Sequence, residues 1–288
     1  MQVAGPLISV TELSELLGRV SVLDVRYRMG GPPGPDEYAA GHVPGAAYVD
    51  LDTALAAPPG PRGRHPLPEL EVFQAAMRAA GVSGARPVVV YDDWQGRAAA
   101  RCWWLLRWAG HPDVRVLDGG WAAWVAAEGE VSTSLDRQEV ALDRQEVALE
   151  RQEAGDFTAR PGQLPTVEVD DVLGLAERGV LVDARNPERY RGEVEPVDPV
   201  AGHIPGAVNV PTGANLRDDG TFKSAEELRE VYAGTDGREV AAYCGSGVTA
   251  AHDLLAMAVA GIDGALYPGS WSEWVADPDR PVSTSGRP

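Results

Sequence analysis

Val240-Ala241-Ala242-Tyr243-Cys244-Gly245-Ser246-Gly247-Val248-Thr249-Ala250-Ala251 reads as a strand, a tight glycine loop and the start of a helix. The apolar run Val240–Tyr243 ends at the thiol, and His252-Asp253-Leu254-Leu255 carries the helical pattern onward. Such a loop turns successive backbone N–H groups, and the positive end of the helix behind them, towards one point. A thiolate held at that point is a nucleophile. A free cysteine is often only a small buried hydrophobe. The glycines on both sides of Ser246 speak against that reading, because a core strand end has no need of them and a loop wrapped around an anion does.

The same strand end occurs a second time, as one of four motifs that repeat in order. Val22-Leu23-Asp24-Val25-Arg26 parallels Leu181-Val182-Asp183-Ala184-Arg185, and Gly41-His42-Val43-Pro44-Gly45 parallels Gly202-His203-Ile204-Pro205-Gly206. Val88-Val89-Val90-Tyr91-Asp92 parallels Val240–Cys244, and Gly120-Trp121-Ala122-Ala123-Trp124 parallels Ser270-Trp271-Ser272-Glu273-Trp274. His42 and His203 stand 161 residues apart, Asp92 and Cys244 152, and Trp121 and Trp271 150. Nearly constant offsets over four motifs mean two copies of one domain. Within each copy, short apolar runs such as Val88–Tyr91 alternate with helical stretches such as 11–17 and 71–81. That alternation predicts an α/β fold in two tandem domains, each a mostly parallel central sheet flanked by helices. The expected boundaries are 1–130 for a non-catalytic domain, 131–160 for a linker, and 161–288 for a catalytic domain. Leu135–Ala141 is repeated as 142–148 and loosely as 149–155. Leucine recurs every seventh residue without forming an a/d seam, so this heptad repeat reads as a solvated linker.

Composition narrows the class. A chain of 288 residues with 44% hydrophobic content builds real cores, and its net charge of −18 argues against nucleic acid and anionic membrane surfaces as partners. The N-terminus lacks a basic, apolar leader, and no stretch approaches about 18 apolar residues, so a cytoplasmic protein is expected. Cys102 and Cys244 are the only cysteines and match no metal spacing. Cys102 lies with Trp103, Trp104 and Trp108 in a helical pattern and reads as buried, and the paired tryptophans of the two halves read as packing anchors.

Several cysteine chemistries use such a loop. A phosphatase of the Cys-x5-Arg type needs an arginine where Ala250 stands. A hydrolase needs a base, and His42 and His203 are candidates, though both sit in a turn shared by the two halves. A dithiol enzyme needs a second cysteine nearby. A thiolate ringed by backbone donors suits an intermediate that is itself a soft anion, such as a persulfide.

Tyr38–Ala46, Arg101-Cys102-Trp103-Trp104 and Leu117-Asp118-Gly119-Gly120, taken with the Cys244 loop, resemble the two-domain rhodanese-type sulfurtransferases over nearly the whole chain. The resemblance implies a catalytic second domain and a first domain without its cysteine, consistent with Asp92 opposite Cys244. It implies that a Cys244 persulfide carries sulfur from a small anionic donor to cyanide, a small thiol or thioredoxin, with no metal or organic cofactor. The Cys-Gly-Ser-Gly-Val-Thr-Ala loop resembles that of 3-mercaptopyruvate sulfurtransferases. Thiosulfate-preferring members typically carry Cys-Arg-Lys-Gly-Val-Thr-Ala, whose cations suit a dianion. By the same resemblance Ser246 and His42 move the donor's thiol proton, with Asp36 or Glu37 as the acid beside the histidine. Arg189 matches the first arginine for the donor carboxylate, and Gly245, Gly247, Val248 and Thr249 line the donor. The second arginine expected shortly before Gly202 is missing from Glu195–Ala201, which leaves Arg191 as its substitute. The alternatives are a thiosulfate-preferring enzyme and a non-enzymatic persulfide carrier or binding module.

Overall fold

The computed structural model describes residues 5–133 and 154–284, which fall into two compact units. One holds the chain up to Leu55 and from Pro68 to Gln163; the other holds Ala56–Leu67 and the chain from Leu164 onward. The heptad repeat expected between the halves, from Leu135 to Glu153, lies outside the described residues. No described helix is long and apolar enough to cross a membrane.

The first unit is built on five parallel strands: β1 (Leu7–Ile8), β2 (Ser21–Asp24), β3 (Ala47–Tyr48), β4 (Val88–Tyr91) and β5 (Val114–Leu117), in the order β1-β5-β4-β2-β3. The second repeats the plan with β6 (Val180–Asp183), β7 (Val208–Asn209), β8 (Val240–Tyr243) and β9 (Ala265–Leu266), in the order β7-β6-β8-β9, again all parallel. A parallel bridge from Thr166 to Leu266 extends this sheet where β1 stands in the first. β2, β4, β6 and β8 are buried at every residue, their Val/Leu/Ala centres as expected for inner strands of a parallel sheet. The expected helices form as Val10–Leu16, closed at its start by a Ser9/Glu12 capping box, and Leu70–Ala79.

Two segments depart from the expected boundaries. Residues 154–163, placed by sequence in or just after the linker, bind along the first unit. Gly155 N–H donates to Arg78 O, Phe157 to Val82, Arg160 to Ala109 and Gln163 to Trp108, while the buried Phe157 ring meets Phe73 edge-on at 6.4 Å. Burial of that aromatic ring offsets the entropy of ordering the segment. Residues 56–67, from the first half of the sequence, pack instead with the second unit.

The repeated Asp-x-Arg and Gly-His-x-Pro-Gly motifs form one lock in each unit. Asp24 and Asp183, at the ends of β2 and β6, take forked contacts from Arg26 and Arg185, with Nη2 at 2.7 and 2.6 Å. The same Nη2 atoms donate to the carbonyls of Gly41 and Gly202 at 2.6 Å. The two guanidiniums lie 4.8 Å from the Trp121 ring and 4.5 Å from the Trp271 ring. Tyr91 and Tyr243, which precede Asp92 and Cys244, accept the N–H of Val43 and Ile204 at 3.1 Å. Burial opposes the Arg185 charge, but the Asp183 carboxylate outweighs it and raises the arginine's pKa. Removing the carboxylate takes its forked partner from a buried cation and leaves only Glu195, 3.5 Å from Nη1, so Asp183→Ala is expected to cost about 3 kcal/mol in a urea unfolding experiment. A loss below about 1 kcal/mol would show that the pair is not a structural anchor.

Candidate active site

Cys244 directly follows β8, an inner strand between β6 and β9, and the helix Ala250–Ala260 follows its loop. This places the thiol beyond the carboxyl end of a parallel strand, where α/β sheets hold ligands. Cys244 is 1% exposed. Gly247 N–H points at its Sγ from 3.1 Å. Gly247 has φ +80°, and a Cβ there would lie 2.3 Å from the Pro268 carbonyl, so only glycine fits. The rest of the nucleophile's backbone is also held: Cys244 O accepts from Trp271 N–H, and Gly245 O from Ser272 N–H, both at 3.0 Å. Cys244 N–H donates to the buried Ser270 hydroxyl at 3.1 Å, and that hydroxyl donates to Tyr267 O at 3.0 Å. Ser270 adopts φ +54°, a backbone region that favours glycine, and its counterpart in the first unit is Gly120 at φ +57°. A strained serine beneath the nucleophile is explained by the hydroxyl it brings.

The first unit shows what such a loop holds. Asp92 Oδ1 accepts from the N–H groups of Trp94 and Gly96, and Oδ2 from that of Ala99, each at 2.8 Å. Burial pushes the Asp92 pKa up, and the N–H groups of Ala99, Gly96 and Trp94 act against that rise. Gln95, at φ +56°, takes the turn that Gly247 takes in the other loop. Counted along the repeat, Trp94, Gly96 and Ala99 correspond to Ser246, Val248 and Ala251.

Three side chains gather at the Cys244 loop. His65 Nδ1 lies 2.7 Å from Ser246 Oγ. A Cβ built on Gly245 would stand 2.9 Å from Arg64 Nη2 and 3.5 Å from Arg189 Nη1, so two guanidiniums border the space over this glycine. Arg189 forks onto Glu195, at 3.0 and 2.6 Å, and its Nη2 also reaches Asp198 at 3.1 Å. Arg64 Nη1 donates to the other oxygen of Asp198. Glu195 further accepts the N–H groups of Val197 and Asp198 at 3.1 Å. Burial would raise the Glu195 pKa, but the hydrogen bonds from Arg189 and these amides hold it below the usual carboxylate range. Asp198 moves the opposite way: burial raises it, and the Glu195 charge adds to that against Arg64 and Arg189.

The structure brings together Cys244, Gly245, Ser246, Gly247 and Arg189 of the residues expected from sequence. Val248 is buried in the loop, and Thr249 precedes the first residue of the helix behind it. Two expectations are corrected. His42 is fully buried in the first unit, stacked on Tyr38 at 3.9 Å with Nδ1 2.8 Å from Tyr38 O. His203 repeats this against Tyr190, at 3.8 Å and 2.7 Å. Both histidines hold their turns, and the histidine at Ser246 is His65. Arg191 pairs with Glu193 on the surface and leaves the loop's second guanidinium to Arg64. Asp36 and Glu37 lie in the first turn of the helix Gly34–Ala40, within the first unit. Arg64 and His65 escaped the sequence reading because they belong to neither repeat. Their one signal was a basic, glycine- and proline-rich stretch, Gly60-Pro61-Arg62-Gly63-Arg64-His65-Pro66, in an acidic chain. Cys102 is fully buried, and burial pushes its thiol pKa up. Among the described residues, no cluster of three or more His, Cys, Asp or Glu is arranged to hold a metal ion.

The rhodanese-like domain model matches the chain twice, over residues 9–127 and 168–277. A Mycobacterium tuberculosis protein named for thiosulfate sulfurtransferase is 45% identical over 290 residues, 98% of each chain. The Escherichia coli 3-mercaptopyruvate sulfurtransferase is 37% identical over 281 residues, covering 91% of this chain and 92% of that one. The crystal structure of an E. coli 3-mercaptopyruvate sulfurtransferase superposes with a TM-score of 0.78 at 32% identity, over 93% of this chain and 100% of that one. A 3-mercaptopyruvate sulfurtransferase from Leishmania major gives 0.79 at 30% identity, over 94% and 74%.

The Ser270 hydroxyl yields a stability ordering. Ser270→Gly relieves about 1–2 kcal/mol of backbone strain and strands the buried Cys244 N–H at a cost of about 1–3 kcal/mol. Ser270→Ala strands the N–H and keeps the strain. Urea midpoints are expected to rank wild type, then Ser270→Gly, then Ser270→Ala. An alanine variant as stable as the glycine variant would remove the strain from this account.

Proposed function

The chain belongs to the rhodanese family and is a sulfurtransferase, and we propose that Cys244 takes sulfur from 3-mercaptopyruvate and passes it on as a persulfide. The observation that carries this reading is the juxtaposition of a Cys244 thiol, held by the Gly247 amide, with a Ser246–His65 pair at 2.7 Å. 3-Mercaptopyruvate carries a thiol proton that must move, and a hydroxyl bonded to an imidazole moves protons. The Cys244 thiolate attacks the donor sulfur and an S–S bond forms. The donor's C–S bond breaks with its electron pair left on carbon, as the enolate of pyruvate. The thiol proton, taken up by the Ser246–His65 pair, returns to that carbon. The outer sulfur of the persulfide is an anion in the position of Asp92 Oδ1, and the N–H groups of Ser246 and Val248, which correspond to Trp94 and Gly96, hold it there. Cyanide or a thiolate then attacks the outer sulfur and releases the Cys244 thiolate. Arg189 anchors the donor carboxylate.

One observation favours thiosulfate as a second donor. Arg64 Nη2 stands where a side chain at position 245 would begin, which returns to the site a cation that the Gly-Ser loop lacks. The cycle needs a reduced thiol, so we assign it to the cytoplasm, with small thiols and thioredoxin as acceptors.

Intact-mass measurement after donor treatment tests the proposal. Wild type is expected to gain one sulfur atom and lose it to cyanide, and Cys244→Ser to gain none. His65→Asn is expected to lower turnover with 3-mercaptopyruvate by about 10²-fold or more, and to affect thiosulfate, which has no thiol proton to move, far less. Equal losses with both donors would remove His65 from the proton path.

A further inference from the structure

Asp198 holds the two cations that border the Cys244 loop. One carboxylate oxygen accepts from Arg64 Nη1 and the other from Arg189 Nη2. Its side chain is 4% exposed, against 27% for Arg64 and 19% for Arg189. Two guanidiniums bridged by one carboxylate present the fork that the carboxylate of a keto acid would use. The partners are unequally committed. Arg189 keeps Glu195 through two further hydrogen bonds. Arg64 has Asp198 as its ion-pair partner, and its Nε is buried with no hydrogen-bond partner among the described residues. Displacing Asp198 therefore frees Arg64 while Arg189 stays oriented.

The segment that carries Asp198 is suited to exchange. It is the short turn Glu195-Pro196-Val197-Asp198-Pro199, pinned at one end by the Glu195 carboxylate accepting two amides of the turn. Val194 and Val200, on either side, are 53% and 40% exposed, so the turn lies at the surface. Burial and the neighbouring Glu195 both act against the Asp198 charge, and Arg64 and Arg189 are what hold it.

We propose that Asp198 is an internal carboxylate occupying the anion site of Arg64 and Arg189, that the donor's anionic end displaces it, and that its charge biases the site against dianionic donors. This rests on the sulfurtransferase reading above and names what selects the donor. While Asp198 is ionised, a donor must compete with a tethered carboxylate. Once displaced but still nearby, Asp198 repels a second negative charge more than a first, so thiosulfate suffers more than 3-mercaptopyruvate.

The test uses the full chain, with Asp198→Asn and Arg64→Gln beside wild type. Steady-state rates are measured with both donors, and pyruvate serves as an unreactive competitor. Asp198→Asn is expected to bind pyruvate more tightly, to lower KM for both donors, and to raise the ratio of kcat/KM for thiosulfate over that for 3-mercaptopyruvate at least tenfold. Arg64→Gln is expected to weaken pyruvate at least tenfold. If Asp198 merely positions the arginines, Asp198→Asn will instead raise KM for both donors, and that result, or an unchanged donor ratio, overturns the proposal. So does pyruvate binding unaffected by Arg64→Gln. Failure of the underlying reading is separable: wild type would then gain no sulfur from either donor, whatever the variants do.

Discussion

Each half of the chain ends an inner strand in a loop whose amides converge, and converging N–H groups demand negative charge. In the first half the demand is met permanently, by a carboxylate whose two oxygens take three amides at 2.8 Å. In the second half the residue at that position is a thiol, and the nearest amide already points at its sulfur. A covalent anion that comes and goes can be stabilised there because the fold has arranged its donors beforehand. In the proposed cycle, Asp92 thus stands where Cys244 would carry its persulfide charge.

The loops keep their shape because the strands beneath them are locked. Asp24 with Arg26, and Asp183 with Arg185, tie the end of one strand to the turn after the next helix, and the tyrosines before Asp92 and Cys244 join the same network. The lock is buried, charged and duplicated, so it spends electrostatic energy to fix register where a purely apolar contact would tolerate sliding. The second half adds Ser270 at φ +54°, where its twin has glycine, and gains a hydroxyl under Cys244.

Most of this was legible in the sequence because it was written twice. The strands at Val88–Tyr91 and Val240–Tyr243, the strand–loop–helix around Cys244, and the tryptophans Trp124, Trp271 and Trp274 as core anchors all follow from repeated motifs read against periodicity. The resemblance, not the repetition, drew His42 toward catalysis: its ring and that of His203 perform the same stacking task in both units, as their shared turn suggested. What repetition could not show lies in the unrepeated segments. Ser246 and His65 meet across 181 residues, from a stretch with no apolar period. The strap at Phe157 carries one aromatic anchor in a polar run, too sparse a pattern to separate it from the linker before it.

Residues 56–67 have an evolutionary consequence. They are encoded between two pieces of the first unit, yet they supply the second with Arg64 and His65. A half with aspartate in place of the cysteine would, on the proposed mechanism, be free to decay or to be deleted from the gene. Here deletion would remove the imidazole beside Ser246 and a guanidinium beside Gly245, so the Cys244 unit depends on chain encoded within the other. The loan of a dozen residues ties the two copies into one inheritance.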